Sequence, residues 1–191
     1  IKSCTFTLCK KLSSIIIPES VNSIYNSAFL YSGLTSIYIP KSVRSIGKTI
    51  FQSCYKLEAI NVAVENQAFM SKEGVLFNHD ITTLYAYPGG KKGRYSIPYG
   101  VTDIQDYGCN KLSYISIPYS VSYLGLHVFE HCSKLSSIII PQLRNALENT
   151  FDSCHNLSSV TYLGDTDIKN HVDIFNYCYN LTEIHVLTSY G

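Results

Sequence analysis

The chain has 191 residues, 46% hydrophobic and 15% charged, with a formal net charge of +1. It is too apolar for a disordered chain, and its few cations are too scattered for an electrostatic grip on nucleic acid. No apolar run approaches the ~20 residues needed to cross a bilayer; the longest strongly apolar runs are Ile15 to Ile17 and Ile138 to Ile140.

From the N-terminus onward the chain repeats itself. Phe6, Cys9 and Leu12 open a phrase that continues as Ile15, Ile17 and Pro18, followed by Val21 and Ile24. The phrase Leu-x-x-Ile-x-Ile-Pro returns at Leu34, Ile37, Ile39 and Pro40, with Val43 and Ile46 behind it, and then Phe51, Cys54 and Leu57 lead into Ile60 and Val62. Between about residues 63 and 94 the regularity lapses. Gly74-Val75-Leu76-Phe77 and Leu84-Tyr85-Ala86-Tyr87 read as two short strands joined by a turn at Asn78, His79 and Asp80. Pro88-Gly89-Gly90 marks a loop, and Lys91, Lys92 and Arg94 read as its solvated continuation. A remnant of the phrase at Tyr95, Ile97 and Pro98 precedes Val101 and Ile104. Full copies follow at Leu112, Ile115, Ile117, Pro118 and at Leu135, Ile138, Ile140, Pro141, then copies without proline at Leu157, Val160, Tyr162 and Leu181, Ile184, Val186. The corner Phe-x-x-Cys-x-x-Leu recurs at Phe129, Phe151 and Phe175. In the coil before Leu112, Cys109 stands where Phe is expected and three residues are missing, which predicts a clipped corner.

Regular leucine anchors are 22 to 24 residues apart. A period of that size indicates stacked coils. In Ile-x-Ile the apolar residues alternate and share one strand face, and Pro ends the strand because it has no N–H to donate. One coil cannot bury its own stripe, but a stack can. The expectation is a leucine-rich-repeat solenoid with a parallel β-sheet on the concave face and short strands, 3-10 or helical turns on the convex side. It forms one repeat domain over residues 1–191, with an irregular enlarged repeat at about 63–94. The chain opens inside a Phe-Cys-Leu corner and closes just after a strand, without polar caps, which reads as a piece of a longer array.

The combination Leu-x-x-Ile-x-Ile-Pro, Val-x-x-Ile and Phe-x-x-Cys resembles the BspA-like (Treponema-type) leucine-rich repeats. Ser27-Ala28-Phe29 looks like that family's Ala-Phe corner and Ile46-Gly47 like its Ile-Gly step, and the segment from Glu73 to Pro88 is similar to an irregular unit of the family. The resemblance implies a solenoid found in surface-exposed or secreted proteins, with adhesion and binding of host proteins as the usual proposed roles. It supplies no catalytic residues.

Few residues point to chemistry. Of the seven Cys, five share one repeat position. They can be read as a disulfide framework, a metal site or a ladder of small buried side chains, and the ladder is favoured because stacked Cβ vectors run parallel. No Cys-x-x-Cys pair exists, so a zinc ribbon is not expected. His131 beside Cys132 and His155 beside Cys154 invite a metal reading, but neighbours on an extended turn point opposite ways. Asp165, Asp167 and Asp173 lack the Gly and terminal Glu of a calcium loop. No nucleophile elbow, phosphate loop or His-Glu-x-x-His occurs, so no enzyme, cofactor or metal is expected. Asn156-Leu157-Ser158 and Asn180-Leu181-Thr182 match the glycosylation acceptor pattern, which the repeat itself also explains.

The x positions of Leu-x-x-Ile-x-Ile should line up on the concave sheet as a small, hydroxyl-rich, nearly uncharged surface. The candidate binding residues on it are Ile16, Tyr38, Asn61, Tyr114, Ser116, Ile139, Thr161 and His185. Tyr99, Tyr119 and Tyr123 fall at corresponding turns and form a candidate second patch. The expected partner is a protein or glycan, a host or matrix macromolecule, with no nucleic acid and no membrane insertion by this segment. The expected location is the cell surface or outside the cell. A structural spacer or assembly scaffold within a longer array is the alternative, and free thiols would also permit an intracellular scaffold.

Overall fold

A computed structural model describes residues 1–105, 112–144, 149–164 and 174–186. The chain is a parallel-strand β-solenoid of about seven turns, with no helix among the described residues. It divides into two compact units, residues 1–91 and 92–191. The expected clipped corner around Cys109 and the Asp165, Asp167, Asp173 run lie outside the described residues.

In the first unit the Ile-x-Ile phrases form β2 (Ser36–Ile39) and β4 (Ala59–Val62), paired in parallel with Ile37 opposite Ile60 and Tyr38 opposite Asn61. The Val-x-x-Ile phrases form the two-residue strands β1 (Ser23–Ile24) and β3 (Ser45–Ile46), also parallel. Between them lies a core of Ile24, Phe29, Leu34, Ile37, Ile39, Val43, Leu57 and Ile60, all buried. The first coil departs from expectation. Ile15, Ile16 and Ile17 belong to no strand, although Ile17 is buried and Ile16 points outward. Contact with the next coil runs instead through the Thr35 N–H, which donates to the Ser13 carbonyl at 3.0 Å.

The irregular coil is an antiparallel meander of β5 (Phe69–Lys72), β6 (Val75–Asn78) and β7 (Thr83–Ala86). The sequence reading anticipated β6 and β7 but not β5. Two asparagines set its shape. Asn78 closes the turn, its Oδ1 accepting from the Thr82 and Thr83 amides at 2.9 and 2.8 Å. Asn66, only 1% exposed, fastens the meander to the coil before it. Its Oδ1 accepts from the Ala68 and Phe69 amides, both at 2.9 Å, and its Nδ2 donates to the carbonyls of Pro40 and Val43 at 2.8 and 3.0 Å. The loop after β7 folds back onto the unit, where the Gly90 N–H donates to the Leu57 carbonyl at 2.7 Å. A Cβ on Gly90 would collide with the backbone of Lys56 and Leu57, so only glycine allows that approach.

In the second unit β8 (Gly93–Ser96) pairs in parallel with β10 (Leu112–Ser116). The two-residue strands β9 (Asp103–Ile104) and β11 (Tyr123–Leu124) pair likewise. A further parallel sheet holds β12 (Ser137–Ile140), β13 (Ser159–Tyr162) and β14 (Glu183–Val186). Leu112, Ile115, Leu135, Ile138, Ile140, Leu157 and Val160 are buried as expected. Ile184, an expected inward anchor on β14, is 41% exposed; β14 has a described neighbour on one side only.

The corners are built without helix and without glycine. Two residues to either side of the corner phenylalanines the backbone turns left-handed: Ser27 and Tyr31 about Phe29, Thr49 and Ser53 about Phe51, His127 and His131 about Phe129, Asn149 and Ser153 about Phe151. Such positions cost a non-glycine residue about 1–2 kcal/mol each. Hydrogen bonds to the next coil hold them in place: the amides of Ser27, Phe29 and Tyr31 donate to the carbonyls of Lys48, Ile50 and Gln52 at 3.0–3.1 Å. The inward phenylalanines stack in columns. Phe6, Phe29 and Phe51 lie 5.4 and 5.7 Å apart, and Phe129, Phe151 and Phe175 lie 5.2 and 5.6 Å apart.

Candidate functional site

The strands place their outward side chains in rows. In the first unit Tyr38 lies beside Asn61, and Ile16, 92% exposed, stands outside any strand. In the second unit Ile139, Thr161 and His185 form one row across β12, β13 and β14, with Ser137, Ser159 and Glu183 in the row beside it. Tyr114 and Ser116 stand on β10, opposite Arg94 and Ser96 of β8. The Arg94 guanidinium lies over the Tyr114 ring, 5.1 Å from its centroid, a cation–π contact that fixes the ring on its β8 side.

No ladder joins β10 to β12 among the described residues, and β10 carries a register shift between Leu112 and Tyr114. A groove of about 420 Å³ opens there, with Tyr114, Ser116, Ser137, Ile139, Ser159 and Thr161 in its lining and Tyr119 at its edge. Four of the expected residues, Tyr114, Ser116, Ile139 and Thr161, therefore share one concavity; Ile16, Tyr38, Asn61 and His185 do not line it. Sequence reading assigned Tyr119 to a separate turn patch with Tyr99 and Tyr123. The turn after Pro118 instead carries it to the groove, whereas Tyr99 stays apart, 88% exposed. No sequence signal marked the interruption, since the step from Leu112 to Leu135 falls within the regular 22 to 24 residues.

The hydroxyls on these rows behave in two ways. Those one position after the leucine anchor hydrogen-bond along the ladder, as Ser158 Oγ does to the Ser136 carbonyl at 3.0 Å and Thr182 Oγ1 to the Ser158 carbonyl at 3.3 Å. Those of Ser116, Ser137, Ser159 and Thr161 make no hydrogen bond within the described protein, so their donors and acceptors face the groove or solvent.

The cysteines form the expected buried ladder at Cys54, Cys132 and Cys154, with Cys178 half-buried, and the described cysteines are free thiols. Three of these thiols donate to the carbonyl of the phenylalanine one coil earlier: Cys54 to Phe29 at 3.0 Å, Cys154 to Phe129 at 2.9 Å and Cys178 to Phe151 at 3.1 Å. Cys9 shares the repeat position yet is exposed, because no described coil supplies that carbonyl or covers it. Burial pushes the Cys54 thiol above its ordinary range, partly offset by a hydrogen bond with Ser32. Cys154 is pulled down by hydrogen bonds from Cys132 and Cys178, against burial, and Cys178 is pushed up by the same contact and by burial. Cys154 is sealed from solvent and its S–H is engaged by the Phe129 carbonyl, so it offers no reactive nucleophile.

His131 and His155 point away from their buried cysteine neighbours. His155 donates from Nδ1 to the Tyr177 carbonyl at 3.0 Å and stacks on Tyr179 at 5.7 Å. Among the described residues no three His, Cys, Asp or Glu side chains converge as metal ligands, and no helix is long and apolar enough to cross a membrane.

The repeat geometry agrees with a direct family match. The BspA type leucine rich repeat region matches residues 1–88 and 84–190, in six copies. The chain belongs to this family. Repeats of this kind generally serve as non-catalytic modules for protein interaction. Among solved structures the chain is similar to a leucine rich cell surface protein of Faecalibacterium prausnitzii, at 24% identity and a TM-score of 0.68, covering 91% of this chain and 53% of that one. It is similar to a leucine-rich repeat protein of Eubacterium ventriosum at 23% identity and a TM-score of 0.65, covering 90% and 54%. A leucine-rich repeat protein of Bacteroides ovatus is 25% identical with a TM-score of 0.54, covering 96% and 51%. The chain thus spans about half the length of these structures. No curated protein matches it.

Proposed function

We propose that this chain is a non-catalytic recognition module of a surface or secreted protein, binding a protein or glycan through the outward rows of its long strands. The observation that carries this reading is the character of those rows. They are almost uncharged, yet they hold Tyr38, Tyr114 and Ile139 out in water. Ser and Thr alone would suit an exposed strand face, but large apolar side chains on it gain nothing until something covers them. The cell-surface description of the F. prausnitzii protein supports the location.

The test is binding of the purified chain to matrix proteins, cell-surface extracts and glycans, beside a variant carrying Tyr38→Ala, Tyr114→Ala and Ile139→Ser. Saturable binding that disappears in the still-folded variant supports the reading. Binding that survives moves the site to the turn tyrosines or the meander. Absence of binding across the panel favours a spacer or scaffold.

A further inference from the structure

We propose that the groove between β10 and β12–β13 is a carbohydrate subsite that takes the neutral end of a glycan, one or two sugar rings long. The inference rests on the recognition reading above and narrows its partner. None of the described residues lining the groove is charged, so a sulfated, phosphorylated or sialylated ligand would find no counter-charge among them. Arg94, which lies over the Tyr114 ring, stands on β8 and is not among the lining residues.

The hydroxyls decide between a protein and a sugar. Ser116, Ser137, Ser159 and Thr161 present hydroxyls that no group among the described residues satisfies. Each hydroxyl can donate and accept, which matches a ligand that is itself a ring of hydroxyls. A protein partner is poorly served by the same surface, since Ser and Thr are under-represented among interface hot spots and Ser is depleted from interfaces generally. The apolar side of a sugar ring needs a flat apolar wall. Tyr114 and Tyr119 supply aromatic faces at the rim and Ile139 a patch between the strands. A volume of about 420 Å³ lies within the ~300–1,000 Å³ of small-ligand sites and limits the subsite to a chain end.

The test uses the full chain and a set of neutral mono- and disaccharides (glucosides, galactosides, mannosides and N-acetylhexosaminides), with sialylated and sulfated counterparts, read by saturation-transfer NMR and calorimetry. The variants are Thr161→Val, Ser137→Ala and Tyr119→Ala, all at positions where folding does not depend on the lost group, with Val64→Ala, at an exposed position of the first unit, as an outside control. The expected result is saturable binding of at least one neutral saccharide, weakened about tenfold by each groove variant and unchanged by Val64→Ala. Preference for the charged counterparts, or binding indifferent to the groove variants, overturns the inference. Capture of a protein ligand with no saccharide binding also overturns it, while leaving the recognition reading intact; silence of both panels removes both.

Discussion

Asn66 is a single polar side chain on which the junction between a regular coil and the meander depends. It is 1% exposed and uses both ends of its amide, accepting from the Ala68 and Phe69 amides and donating to the Pro40 and Val43 carbonyls. Asn66→Ala removes all four bonds. The Pro40 carbonyl keeps the Val43 amide at 3.2 Å, so three backbone groups lose the partner that Asn66 supplies. Each stranded buried group costs about 1–3 kcal/mol; with partial relaxation and entry of water the expected loss is about 3–5 kcal/mol. Asn66→Asp sharpens the test. It keeps the acceptor for the two amides but turns a carboxylate oxygen toward two carbonyls at hydrogen-bond distance. That environment raises the folded-state pKa above the unfolded value of ~3.9. The variant is therefore expected to be most stable below that pH, where the protonated acid can donate, and to lose stability as pH rises through the folded pKa. Urea unfolding followed by circular dichroism gives the midpoints, and amide exchange at Phe69 reports the junction itself. Asn61→Ala, on the exposed row, serves as the control and should stay within about 0.5 kcal/mol of the parent. An Asn66→Ala protein within about 1 kcal/mol of the parent, with unchanged exchange at Phe69, would refute the reasoning.

The remaining predictions concern the core, the thiols and the turns. Ile138→Asp places a carboxylate among Leu135, Ile140, Leu157 and Val160 and should abolish cooperative unfolding of its unit, whereas Tyr114→Ala should leave the melting temperature nearly unchanged; a parent-like melt for Ile138→Asp would mean the repeat register is wrong. Alkylation of the native protein should label Cys4 and Cys9 at once and spare Cys54, Cys132 and Cys154 until the chain opens, and rapid labelling of the last three would contradict their burial. Because burial raises the Cys54 thiol above its ordinary range, its contribution is fully present at neutral pH and should fade as pH climbs past about 9, seen as faster labelling and a falling melting temperature. Ile81 closes the β6–β7 turn with a left-handed φ of 54°, which a β-branched residue adopts only under strain. Ile81→Gly should raise stability by about 0.5–1 kcal/mol, and a destabilised variant would show that its partly buried side chain outweighs the strain.

Much of the fold was legible because burial repeats with the same period as the residues. Leu34, Ile37 and Ile39, like Leu135, Ile138 and Ile140, could be placed inward from alternation and spacing alone, and all six are buried. The cysteine ladder was legible for the same reason. The left-handed pairs flanking the corner phenylalanines were not. Such positions are usually recognised by glycine, and here they hold Ser, Tyr, Thr, His and Asn. What stabilises them is the amide-to-carbonyl bonding between coils, a property of the stack and invisible in any one repeat. The strand β5 and the role of Asn66 were hidden likewise. Phe69 to Lys72 has no strict alternation, and an asparagine in a loop-like run gives no sign that its amide will meet carbonyls more than twenty residues earlier in the chain.

The candidate site was half legible, and the missing half lies in a departure from regularity. Periodicity could say which side chains point outward, because that depends on position within a coil. It could not say where those side chains enclose space, because stacked coils of equal length yield a flat surface. A concavity needs two neighbouring strands that fail to pair. Here β10 shifts register against β8 between Leu112 and Tyr114, and the ladder stops before β12 although the step from Leu112 to Leu135 is of regular length. Where it stops, hydroxyls that elsewhere would line a plane border a groove, and Tyr119 reaches its edge. Which side chains face outward is therefore a property of position within a coil, whereas where they enclose space is a property of strand pairing between coils.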